Sequence, residues 1–106
     1  MESNPYRIQF TPLAFDDLDE IDSYISETLM NAPAAIALLE EMEQSINRLT
    51  LYPNIGAELD DPYLAAKGYR KLVVKNYLIF YLVDTSEKSV IIMRVLYGAR
   101  EYRNLL

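Results

Sequence analysis

The stretch GYRKLVVKNYLIFYLVDTSEKSVIIMRVLY, Gly68 to Tyr97, replaces the helical spacing before it with an alternation of two. Tyr69 to Val74, Tyr77 to Val83 and Val90 to Tyr97 are dense in β-branched and aromatic residues, which suit a pleated surface. Lys75-Asn76 reads as a tight turn between the first two runs, with Asn76 tolerating a positive φ, and Asp84 to Ser89 as a looser turn. The pattern predicts a three-stranded meander. Gly98 ends it, leaving Ala99 to Leu106 as a tail or a single helical turn.

Upstream, Tyr6 to Phe10 alternates over a strand's length, and Thr11-Pro12 follows as an N-cap with proline at the first helical position. Leu18, Ile21, Ile25 and Leu29 recur at helical spacing, with Tyr24 beside them. Asn31-Ala32-Pro33 restarts the pattern, and Ala35, Leu38, Leu39, Met42, Ile46 and Leu49 carry a second stripe to Tyr52-Pro53. So short a break predicts an antiparallel helical hairpin. Asn54 to Gly68 has no clear period and is expected to be a long surface loop. The whole predicts a single domain over residues 1–106 of class α+β, in the order β-α-α-β-β-β, with the hairpin packed on a small antiparallel sheet.

Charge divides along the same line. Met1 to Ala66 hold thirteen acidic and two basic residues, a balance of −11, whereas Lys67 to Leu106 hold eight basic and three acidic, a balance of +5. A basic sheet on an acidic helical layer has a face suited to phosphate or an acidic partner. With no cysteine and no histidine, disulfides, thiolates and the usual neutral-pH base are all missing. Acid–base chemistry would fall to carboxylate, lysine or tyrosine. No apolar run approaches the ~18 residues of a membrane span, and Met1 to Arg7 lacks the pattern of a secretion signal, so the expectation is a cytoplasmic protein.

Several candidate sites fail on spacing. Asp16, Asp17, Asp19, Glu20 and Asp22 scatter around a helix and read as a solvated face, and Glu58, Asp60 and Asp61 lack the ligand series of a calcium loop. Three glycines, at 56, 68 and 98, cannot build a GxGxxG or P-loop cradle. No metal and no cofactor are expected. What remains is Arg and Lys interleaved with Tyr: Arg70, Lys71, Lys75, Arg94, Arg100 and Arg103 as target- or phosphate-binding groups, among Tyr69, Tyr77, Tyr81, Tyr97 and Tyr102. The bland alternative is that tyrosine favours strands and that the cations cover solvent. Alternation favours it, placing Arg70 on one face and Lys71 and Lys75 on the other.

The order of these pieces, with YPNIG at Tyr52–Gly56, GYRKLVV at Gly68–Val74, NYLIFY at Asn76–Tyr81 and VLYGAREY at Val95–Tyr102, resembles the RelE/ParE family of toxins from type II toxin–antitoxin operons. The likeness runs from Tyr6 to Tyr102. It implies a helical hairpin against an antiparallel sheet, growth inhibition, plasmid stabilisation, and a cognate antitoxin that wraps the toxin. It also implies one of two targets, since some members cleave mRNA on the ribosome and ParE-type members poison DNA gyrase without known hydrolysis. Assembly as a homodimer, or as a hetero-oligomer with the antitoxin, is compatible with it.

For the ribonucleases the resemblance assigns Arg70, Arg100 and, displaced in the tail, Tyr102 as catalytic residues. Leu72 and Leu78 stand where that alignment expects cations. Cleavage through a 2′-hydroxyl needs a base, cations and an acid, and arginine yields its proton poorly. Glu101, Lys71 or Tyr102 would have to serve as base. The substitution of Leu72 and Leu78 therefore favours a ParE-like inhibitor that binds a machine such as DNA gyrase. The ribonuclease, and a non-toxic module that still captures antitoxin, stay as alternatives. A partner segment with apolar anchors and acidic residues is expected over the sheet or the helical pair.

Overall fold

The structure, a computed structural model, describes residues 5–106; the first four residues of the Met1–Arg7 reading and of the 1–106 domain lie outside that range. The chain runs β1 (Arg7–Phe10), α1 (Pro12–Ser23), α2 (Ala32–Asn47), β2 (Ala57–Glu58), α3 (Pro62–Ala66), β3 (Arg70–Val74), β4 (Tyr77–Asp84) and β5 (Ser89–Tyr97). Two helices pack on one sheet of order β1-β5-β4-β3-β2, an α+β fold. No helix among the described residues is long and apolar enough to cross a membrane.

The helix starts are built as their sequence dictates. The Thr11 hydroxyl accepts the Ala14 N–H at 3.1 Å, Asn31 Oδ1 accepts that of Ala34 at 3.2 Å, and proline stands at the first turn of both helices. Past Ser23 the first helix widens into a π-turn, Tyr24–Thr28, in which the Leu29 N–H reaches the Tyr24 carbonyl five residues back at 2.9 Å. Such turns rotate the following side chains relative to the α-helical stripe.

Strand β4 carries apolar side chains to both faces. Tyr77, Ile79, Tyr81 and Val83 point to the helices, where they meet Ile21, Leu38, Met42 and Ile46. Leu78, Phe80 and Leu82 point the other way, into a second core with Leu59, Leu64, Tyr69 and Leu96 that the tail closes with Tyr102, Leu105 and Leu106. A strand buried on both sides reads as a continuous apolar run, which is why YLIFYLV shows so little polarity.

Three local expectations are corrected. The sheet has five strands and is mixed, because β1 lies parallel to β5, with Arg7 opposite Ser89 and Phe10 opposite Ile92. Asn54 to Gly68 is no bare loop: β2 pairs with β3, and Asp61 caps α3 by accepting the Tyr63 N–H at 3.0 Å. In the β3–β4 turn the positive φ, 54°, belongs to Lys75, while the Asn76 carbonyl accepts the Gly98 N–H at 2.7 Å. Gly56 is fixed by crowding. A Cβ there would lie 2.7 Å from the Lys71 carbonyl oxygen and 2.5 Å from the Tyr81 hydroxyl, to which the Gly56 N–H donates at 2.9 Å.

Candidate functional site

The site grows from an unfinished sheet edge. β1 stops at Phe10, so β5 beyond Ile92 has no neighbouring strand on that side. Thr11 covers the first step, its N–H donating to the Ile92 carbonyl at 3.0 Å and its hydroxyl to that of Met93 at 2.8 Å. Asp17 of α1 covers the next. Its Oδ2 accepts the Val95 N–H at 2.9 Å and Arg94 Nε at 2.8 Å, while Oδ1 accepts Arg94 Nη2 at 2.8 Å. A buried carboxylate needs this much satisfaction. Asp17 therefore departs from the solvated face expected of its acidic series, its side chain being 5% exposed. A register shift at Phe80/Tyr81 accompanies Arg94's position in the strand. Hydrogen bonding to Asp17 raises the Arg94 pKa further above its ordinary value, so the guanidinium stays charged.

Beside this joint a cleft of about 760 Å³ opens between α1 and the end of β5. The π-turn brings Tyr24 and Leu29 together on its helical wall, and Tyr77 and Tyr97, neighbours across β4 and β5, form the sheet wall with ring centroids 5.7 Å apart, edge to face. Glu20 stands on the α1 side and Arg100 on the tail side. Burial, then the neighbouring Tyr97 and Tyr24, raise the Tyr77 pKa above its ordinary value. The cleft offers aromatic surface with one carboxylate, Glu20, and one guanidinium, Arg100, that make no ion pair among the described residues.

The cations singled out from sequence do not gather there. Arg70 Nη1 donates to the Gly56 carbonyl at 2.7 Å and to that of Asn54 at 3.3 Å, with Nη2 3.7 Å from Glu58, so it fastens the edge loop. Lys75 lies 3.7 Å from Glu41, and Arg103 bridges Asp61 at 3.3 Å and Glu101 at 3.1 Å. Arg94, half-buried, is paired with the buried Asp17. Of the six cations, Lys71 and Arg100 alone make no ion pair among the described residues. Four of the six cations expected on a single face are thus paired with separate carboxylates.

The three catalytic candidates make different contacts: Arg100 lines the cleft, Arg70 holds the Gly56 carbonyl and Tyr102 packs on Phe80. Arg70 is level with Tyr81 and Tyr97 with Tyr77, two strands and four residues away, or roughly 16 Å at standard strand spacings. Tyr102 packs its ring 4.9 Å from Phe80. Leu72 serves the helical core and Leu78 the tail-side core, which accounts for apolar residues at both positions. Sequence reasoning missed Glu20, Tyr24 and Leu29 as site residues. Tyr24 beside an apolar stripe was the available signal; the π-turn that aligns it with Leu29 has none.

Residues 8–102 match the family described as the ParE toxin of type II toxin–antitoxin systems, parDE. The chain belongs to that family. No curated protein matches it. Among solved structures, a chain of the chromosomal ParDE system from P. aeruginosa superposes with a TM-score of 0.71 at 19% identity, over 90% of this toxin and 98% of that chain. The RelBE2 toxin–antitoxin complex from Mycobacterium tuberculosis gives 0.59 at 22% identity, over 88% and 98%. The intact E. coli RelBE complex gives 0.58 at 16%, over 90% and 99%. At these identities the likeness shows a shared fold, the ParE/RelE toxin fold expected from sequence.

Proposed function

We propose that this family toxin, held in check by a cognate antitoxin in the cytoplasm, arrests growth by binding an essential machine, DNA gyrase, and not by cutting RNA. The observation that carries the reading is that Arg70, Glu101 and Tyr102, the groups expected to act with Arg100, are each engaged with other partners. In-line cleavage at a 2′-hydroxyl needs a base, an acid and cations within hydrogen-bond reach of one phosphate. Here Arg70 is engaged with its own loop, Glu101 with Arg103, and Tyr102 lies on Phe80. The Tyr-lined cleft with Glu20 and Arg100 suits recognition of a protein surface, since aromatic residues and arginine dominate binding energy at interfaces.

The test sets two assays side by side with purified toxin freed of antitoxin. Gyrase supercoiling is expected to stop while translated mRNA stays intact on ribosomes. Arg100→Ala is expected to weaken gyrase inhibition about tenfold, ~1.4 kcal/mol of binding. Ribosome-dependent cleavage with undisturbed supercoiling would overturn the proposal.

A further inference from the structure

A second groove lies on the other flank of α1. Residues 17, 20, 21 and 24 of the first helix and its π-turn face the tyrosine cleft, whereas Leu18, Asp19 and Asp22 face a groove of about 390 Å³ shared with α2 and β1. Ile8 and Phe10 of β1 form its floor with Met42 and Ile46, and Leu18 and Leu39 its walls. Ile8, Phe10, Leu18 and Leu39 pack against the helical core yet stay only partly buried, so this is a margin of the core that the described residues leave uncovered.

The rim carries one sign of charge. Asp19 and Asp22 stand on the α1 side, Glu43 on the α2 side, and among the described residues no Lys or Arg lines the groove. None of the three carboxylates makes an ion pair among the described residues. Like charges facing one another over a low-dielectric floor repel, and a cleft lined by one sign concentrates the opposite charge. A cation placed between the walls relieves that repulsion; a phosphate or carboxylate adds to it.

We propose that this groove is a docking site for a short cationic amphipathic segment of a separate protein, with aliphatic anchors on the Ile8–Phe10 floor and Lys or Arg heads at Asp19, Asp22 and Glu43. Lysine and arginine suit it because their stems cover apolar surface while the charge stays at the rim. The volume matches a few side chains from one face of a peptide, at the low end of ligand sites. A second copy of this chain is a poor occupant. Although its Lys71 and Arg100 make no ion pair among the described residues, its Arg70, Lys75, Arg94 and Arg103 are paired with its own carboxylates, and its helical layer repeats the same negative charge. The polarity is also opposite to the acidic segment expected from the charge split. This site is independent of the gyrase reading.

The test selects binders from a displayed library of random twelve-residue peptides on the wild-type toxin and on the triple variant Asp19→Asn, Asp22→Asn, Glu43→Gln. These side chains are exposed, so the variant is expected to fold, which its melting curve checks. Wild type should enrich peptides of net positive charge with two or more aliphatic residues. A synthetic copy of the best peptide should bind the triple variant at least about tenfold more weakly, lose affinity with added salt, and shift the methyl resonances of Ile8, Leu39 and Met42. The proposal is overturned by neutral or acidic consensus peptides, by affinity indifferent to the triple variant, by shifts confined to Tyr77 and Tyr97, or by the absence of enriched binders. Since no supercoiling is measured, failure here leaves the toxin reading intact, and the reverse holds.

Discussion

One face of the sheet is closed by two long helices, the other by a five-residue helix and the tail that follows Tyr97. On the helical face Ala14, Leu49, Ile79, Tyr81, Val90 and Ile92 are sealed completely, and its charged joint sets a half-buried Arg94 against the buried Asp17. On the tail face the charged joint, Arg103 with Asp61 and Glu101, is solvated. Arg94 links the two, since it also donates to the Leu105 carbonyl at 3.3 Å. The difference teaches that the same Arg–carboxylate chemistry is expected to hold the fold strongly where most water is kept out and weakly where it is not.

The comparison is broken most severely at Asp17. Asp17→Ala strands the Arg94 guanidinium and leaves the Val95 N–H without its acceptor. The expected loss is ~3–5 kcal/mol, read by urea denaturation. Replacing both partners, Asp17→Leu with Arg94→Met, should recover part of it, because no unpaired charge is then left behind. A loss below ~1 kcal/mol in the single variant would show that the joint does not hold the fold strongly.

Tyr81 sharpens the picture within the helical face. Its ring is fully buried, and its hydroxyl accepts the Gly56 N–H, so that Tyr81→Phe leaves this amide unpaired, at a cost of ~1–3 kcal/mol. Burial raises the Tyr81 pKa above 10.0, outweighing the Gly56 hydrogen bond and Arg70, which lower it. A phenol with a raised folded pKa contributes stability that is full below the unfolded value and is lost as pH climbs through the folded one. Wild-type stability should therefore fall above about pH 10, and Tyr81→Phe should flatten that fall. Equal alkaline slopes in the two proteins would remove Tyr81 as its source.

Much of this architecture was legible along the chain, for reasons that differ by residue. Period and turn chemistry are local, so YLIFYLV announced a central strand, and Thr11-Pro12 and Asn31-Ala32-Pro33 announced helix starts. The same cap-and-proline signal stands at Asp61-Pro62, but the aperiodic stretch around it hides so short a helix, and a two-residue β2 has no period to read. The parallel pairing of β1 with β5 joins the two ends of the chain, and no local feature sets it. The site was less legible because charge pairing is tertiary. Arg94 and Arg100 look alike in sequence, yet one meets Asp17, seventy-seven residues away, and the other faces a cleft.

The smallest effect is expected at Arg103, the tail face's counterpart of Arg94. Its side chain is 60% exposed, and both of its carboxylate partners keep other roles or water when it leaves. Asp61 still accepts the Tyr63 N–H and so still caps α3, while Glu101 still accepts the Arg103 backbone N–H. Arg103→Ala should thus cost no more than ~1 kcal/mol, an amount that shrinks further with salt. The tail's hold on the sheet then rests on Tyr102 against Phe80 and on Leu105 and Leu106 in the second core, contacts that salt does not weaken. Comparing Arg103→Ala with Tyr102→Ala by hydrogen exchange at Leu105 measures that division directly: faster exchange only in the second variant means the tail is held by apolar packing. Equal acceleration in both would make the solvated joint as strong as the buried one, and the contrast between the two faces would vanish.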